Sequence, residues 1–92
     1  MLGEAVLAKF ARKHPLARKP LSRFLAIVRS AAWLHFPDLK RTFSSADYAP
    51  ATGVTIFDIG GKYRVIAVVN FEKQIVLIQA SVTHEEYNRE NL

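Results

Sequence analysis

If this chain performs chemistry, the sequence leaves few side chains to do it. The segment Thr83-His84-Glu85-Glu86-Tyr87 follows the last run of alternating apolar residues. A helical turn there puts His84 and Tyr87 on one side, because residues three apart are neighbours on a helix. Histidine is the usual general acid or base near neutral pH. A tyrosine can share that proton work or stack on a planar ring. By themselves these five residues read more readily as a plain C-terminal turn in which the pair is a coincidence. No stand-alone motif competes with them: there is no phosphate-binding loop, no Gly-x-Gly-x-x-Gly and no nucleophile elbow. His14, His35 and His84 are too dispersed to read as a metal site. With no cysteine, disulfides and thiolate metal sites are excluded. Any catalysis is therefore expected to use acids, bases and positive charge, with neither metal nor cofactor.

Positive charge is concentrated. Thirteen Lys and Arg face eight Asp and Glu, a formal charge of +5. Within residues 9–41, Lys9, Arg12, Lys13, Arg18, Lys19, Arg23, Arg29, Lys40 and Arg41 meet a single acid, Asp38. Glu85, Glu86 and Glu90 gather at the other end. A basic half fits an anionic partner such as RNA, DNA or an acidic protein, and it equally fits an ordinary solvated surface. No apolar run approaches the roughly 18–20 residues of a membrane span. The first fourteen residues are mildly basic and amphipathic, as a targeting segment is, but they also make a good core-facing helix. A single domain over residues 1–92, without a membrane span and placed in the reducing cytoplasm, is the expectation.

The elements that must position these groups fall into two halves. Leu2, Val6 and Phe10, with Leu7 and Ala11, predict a helix over 3–14 that His14-Pro15 ends. Leu21, Phe24, Leu25, Val28 and Ala32 predict a second over 20–33, with Pro20 at its first position. The short link between them implies an antiparallel pair. Residues 38–43 read as a short helical turn with Asp38 as N-cap, and 44–53 as a loop. The last third is rich in β-branched residues and predicts three strands, Val54–Ile59, Tyr63–Phe71 and Gln74–Val82. Gly60-Gly61 and Glu72-Lys73 read as two-residue turns. The sum is an α+β domain, two helices on a three-stranded antiparallel meander.

A two-residue turn at Gly60-Gly61 pairs Ile59 with Lys62 and sets Phe57 opposite Arg64. The second turn sets Arg64 opposite Ser81, and Ile66 opposite Gln79. Side chains alternate along a strand. One face then holds Val54, Ile56, Tyr63, Val65, Ala67, Val69, Phe71, Val76, Ile78 and Ala80, and the helices should cover it. The other holds Phe57, Lys62, Arg64, Ile66, Gln79 and Ser81, a basic and partly aromatic platform. A one-residue slip would move every one of these groups to the opposite face.

Two stretches and the tail then look familiar together: Phe57-Asp58-Ile59-Gly60-Gly61-Lys62-Tyr63-Arg64, the run Val65 to Val76, and Thr83 to Tyr87. With His14-Pro15, Pro20-Leu21, Ala32-Trp33, Asp38-Leu39-Lys40 and Phe43-Ser44-Ser45-Ala46-Asp47, they resemble the HigB toxin family over nearly the whole chain. The resemblance implies a RelE-like fold and the toxin of a type II toxin–antitoxin pair. It implies metal-independent cleavage of mRNA, at the ribosome, by attack of a ribose 2′-hydroxyl on the adjacent phosphate. Arg64, His84 and Tyr87 would be the catalytic residues. Arg64 would clamp the phosphate, His84 would serve as acid or base, and Tyr87 would stack on a base or share the proton. Lys40, Arg41, Lys62 and Gln79 would contact RNA. The implied partners are mRNA and a cognate antitoxin with a DNA-binding helix-turn-helix domain. Two departures stand out. The short strand with which relatives usually begin is not evident here. An Asn that many carry between the second Gly and the Lys is missing, which implies a tighter hairpin beside Arg64. A catalytically inactive RNA-binding domain would explain the basic helices without His84. A protein-interaction domain would explain apolar residues on the platform face, Ile66, Val68, Ile75 and Leu77.

Overall fold

A computed structural model of the chain describes residues 1–90, with side-chain surroundings given through Tyr87. Among the described residues four helices and four strands follow one another: α1 Glu4–Lys13, α2 Arg18–Ser30, α3 Phe36–Thr42, β1 Asp47–Ala49, β2 Val54–Ile59, β3 Tyr63–Asn70, β4 Ile75–Thr83 and α4 His84–Glu90. A 3-10 turn, Pro15–Ala17, links α1 to α2. The sheet is antiparallel, in the order β1-β2-β3-β4. The α+β class is as expected, and helices on an antiparallel sheet fit a RelE-like fold.

The core forms where the two apolar stripes meet. Leu7 and Phe10 of α1, Leu21, Phe24 and Val28 of α2, Trp33, and Leu39 of α3 are buried against Phe57, Ile59, Tyr63, Val65, Ala67, Val76 and Ile78. Phe24, Phe43 and Phe57 pack ring to ring at 4.9–5.5 Å. Such offset and edge-on contacts add to the area the rings bury. Trp33 satisfies its indole N–H with Thr42 Oγ1 at 3.1 Å, as a buried indole must.

Several expectations are corrected. The segment 44–53 is not all loop. Asp47–Ala49 pairs with β2, so the sheet has four strands rather than three. The second helix starts at Arg18, which puts Pro20 third rather than first; its missing N–H still costs nothing within the first turn. Asp38 is not the N-cap of α3. His35 holds that place, and Asp38 reaches back from the first turn to accept the Leu34 N–H at 3.1 Å.

The first hairpin contains three residues, Gly60-Gly61-Lys62, because Ile59 pairs with Tyr63. Both glycines do take positive φ, 64° and 75°. The extra residue shifts β2 by one position. Phe57 therefore sits opposite Val65 in the core, not opposite Arg64, and Val54 and Ile56 leave the helix-covered face. The second hairpin has the expected register from Asn70↔Ile75 to Ala67↔Ile78. There a β-bulge takes up Gln79, and pairing resumes at Ile66↔Ala80. Arg64 thus faces Val82 instead of Ser81, and Ala80 leaves the core face.

Ahead of α1 the chain makes one strand-like contact. Leu2 forms a one-residue parallel bridge to β4, with Leu2 N–H donating to Val76 O at 2.8 Å and Ile78 N–H donating to Leu2 O at 2.9 Å. Gly3 then turns into α1 with φ 85°, and a Cβ there would stand 2.5 Å from Ile78 O. Only glycine accommodates both the conformation and the approach.

Candidate functional site

Arg64 lies on β3 between Tyr63 and Val65, whose side chains enter the core, so it projects from the opposite face of the sheet. Its cross-strand neighbours on that face are Asp58 and Val82. Nη1 is 2.7 Å from Asp58 Oδ1, and the two side chains are only 16% and 26% exposed. Nη1 is itself fully buried, and none of its N–H bonds is aligned on an acceptor. The contact is therefore an ion pair held by charge rather than by a directed hydrogen bond. Asp58 Oδ1 also accepts the Gly61 N–H at 3.0 Å, which ties the carboxylate to the hairpin turn.

The C-terminal helix completes the site from the other side. Thr83 caps α4 reciprocally: its Oγ1 accepts the Glu86 N–H at 3.1 Å, and Glu86 Oε1 accepts the Thr83 N–H at 2.9 Å. This is a capping box, Thr-x-x-Glu, and it fixes where the helix leaves β4. The His84 N–H donates to Lys62 O at 2.8 Å, so the start of α4 is bonded to the first hairpin. One turn on, the Tyr87 ring lies over the Arg64 guanidinium, 5.9 Å from Cζ to centroid. That is a cation–π distance.

Beside this patch a groove of ≈ 470 Å³ runs along the end of the sheet, lined by His14, Lys62, Tyr63 and His84 among others. His14 ends α1 and stacks on Phe10 at 4.4 Å between centroids. Two histidines thus share one groove although 70 positions separate them. Among the described residues there is no group of His, Asp and Glu that could hold a metal.

Arg64, Tyr87, Lys62 and His84 therefore gather at one end of the sheet. Three other candidates do not join them. Lys40 is occupied, its Nζ donating to Ala46 O at 2.6 Å and standing 4.0 Å from Asp47 Oδ1. It ties α3 to the entry of β1. Arg41 pairs with Asp38 at 3.0 Å on the exposed side of α3, in the helix layer. Gln79 is exposed at the bulge on β4. Sequence reasoning missed Asp58 and His14. Asp58 carried a usable signal, since a carboxylate opposite Arg64 completes an ion pair. His14 carried none, because only the folded chain brings it to the groove.

Residues 17–90 match the family model of the HigB toxin, the RelE-like toxic component of a toxin–antitoxin system. The chain belongs to the HigB toxin family. The match spans the whole of the Arg64 patch and leaves α1, with His14, outside it. No curated protein matches the chain. Membership makes this HigB-family chain the toxin of such a pair and gives it an antitoxin as partner. Among the described residues no helix is long and apolar enough to cross a membrane.

Proposed function

We propose that this toxin is a metal-independent endoribonuclease of the cytoplasm that cleaves mRNA, on the ribosome, at the Arg64 patch. The observation that carries the reading is a cation held in advance on the sheet face. Arg64 is mostly buried, fixed by Asp58 and covered by Tyr87, with His84 at the start of the same helix.

RNA supplies its own nucleophile. As a base takes the proton of a ribose 2′-hydroxyl, the O2′–P bond forms, the P–O5′ bond breaks, and the departing O5′ takes a proton. The products are a 2′,3′-cyclic phosphate and a 5′-hydroxyl. The protein must move protons and stabilise the charge that builds on the phosphate. Arg64 supplies the charge in a partly desolvated setting, where it acts more strongly than in water. His84 serves as acid or base. Tyr87 stacks on a base or shares the proton work. Lys62, at the rim, holds the RNA backbone, whereas Arg41 and Gln79 lie outside the patch and contact RNA beyond it. Lys40 joins only if it releases Ala46. The cognate antitoxin, with a helix-turn-helix domain, neutralises the toxin.

Induction in a bacterium followed by mapping of new mRNA 5′ ends tests the reading, together with cleavage of ribosome-bound mRNA by purified protein. Cleavage should leave 5′-hydroxyl ends. Arg64→Ala should lose about 3–4 kcal/mol of transition-state stabilisation, several hundredfold in rate. Binding that survives with no cleavage, and no effect of His84→Ala, would make this a binding domain. An Arg64→Ala, His84→Ala double variant that cleaves at the parent rate would remove the site altogether.

A further inference from the structure

We infer that Asp58 is the positioning residue of the Arg64 clamp, orienting the guanidinium for a phosphate before any RNA arrives. The inference rests on the reading of Arg64 as that clamp.

Three observations converge. First, Asp58 and Arg64 are direct cross-strand partners on one face of the sheet, so the backbone itself sets the carboxylate beside the cation. Second, Asp58 Oδ1 is held in turn by the Gly61 N–H. The order of restraint runs from hairpin to carboxylate to guanidinium. Third, the pair stands apart from the other ion pairs among the described residues. In Arg29–Glu4, Arg41–Asp38 and Lys40–Asp47 at least one partner is largely exposed, whereas Asp58 and Arg64 are both mostly buried. Exposed pairs contribute little. A buried pair recovers little more, because desolvation offsets the attraction. What the buried pair supplies is a fixed geometry.

The unaligned Nη1 fits that role. Charge holds Nη1 at Asp58, with neither of its own N–H bonds aligned on an acceptor. A phosphate oxygen would meet the 16% of the Arg64 side chain that stays exposed, not the buried Nη1. Asp58 touches neither substrate nor reacting atoms, so its effect passes through Arg64. An oriented cation needs no reorganisation as charge develops. A loose one loses rate steeply with small misplacement.

Asp58→Asn separates the two duties of this residue. The Asn side-chain oxygen still accepts the Gly61 N–H, so the hairpin keeps its shape, and only the negative charge is lost. With ribosome-bound mRNA, kcat should fall on the order of tenfold to a hundredfold. KM should stay level or drop, since one repulsive charge has left the RNA surface. Asp58→Glu should regain part of kcat. A second readout needs no activity: nitrogen NMR of the Arg64 guanidinium in the free protein. Restricted rotation in the parent should give way to averaged signals in Asp58→Asn. Parent kcat and a parent Arg64 spectrum in Asp58→Asn would overturn the inference. If Arg64→Ala is inactive in the same assays, the clamp reading survives that failure. If Arg64→Ala cleaves like the parent, the clamp reading falls and this inference with it.

Discussion

Phe24 is the side chain on which the two layers depend most, and its truncation has a predictable cost. It is 2% exposed. Its ring sits 4.9 Å from that of Phe57 on β2 and 5.5 Å from that of Phe43 after α3. Phe24→Ala removes a ring at the junction of three segments. The neighbours belong to different elements and cannot all close in, so a cavity remains. Substitutions of this kind cost about 3–5 kcal/mol. A domain of this size has only about 5–14 kcal/mol in total. At about 4–8 °C per kcal/mol, the melting temperature should fall by roughly 15–30 °C. The assay is built in: Trp33, the single tryptophan, is buried 5.8 Å from Phe43 and will report unfolding by its fluorescence. The urea midpoint should drop with the slope unchanged, because the same surface is exposed on unfolding. Phe24→Leu, which refills much of the space, should cost far less. A Phe24→Ala variant within about 1 kcal/mol of the parent would refute the packing of α2 on β2.

Two further outcomes follow from local geometry. Thr83→Val keeps a β-branched residue at the end of β4 but removes the oxygen that caps α4. Hydrogen exchange at the Glu86 amide should speed up about fivefold, the equivalent of ~1 kcal/mol for a lost cap, while the melting temperature barely moves. Unchanged exchange there would mean that the capping box does not hold the helix. Gly3→Ala forces a Cβ against Ile78 O in a left-handed conformation. It should cost about 1–3 kcal/mol and expose the Ile78 amide, which now donates to Leu2 O, to faster exchange. Equal melting temperatures and equal exchange would show that the Leu2 bridge contributes nothing.

The helices and the existence of the strands were legible because their apolar residues recur at one period only. Leu21, Phe24 and Val28 fall on a single face of α2, and all three are buried. β1 was not legible, because a three-residue edge strand has no pattern to show. Nor was the bulge, which places Gln79 between Ile78 and Ala80 with no glycine to mark it. The register of β2 failed for a different reason. Val54, Ile56, Phe57 and Ile59 put apolar side chains on both alternations, and Gly-Gly serves a two-residue or a three-residue turn equally well. Yet a physical argument for the right choice was present in Asp58. In the two-residue register Asp58 lies opposite Tyr63, on the face the helices cover, as a carboxylate without a cation. Burying an unpaired charge costs far more than moving Phe57 from one face to the other could recover. In the three-residue register Asp58 faces Arg64 and the charge is matched. The residue that should have decided the fold of the hairpin is thus the one that holds the candidate clamp. A substitution that disturbs one will disturb the other unless, like Asp58→Asn, it keeps the turn bond and removes only the charge.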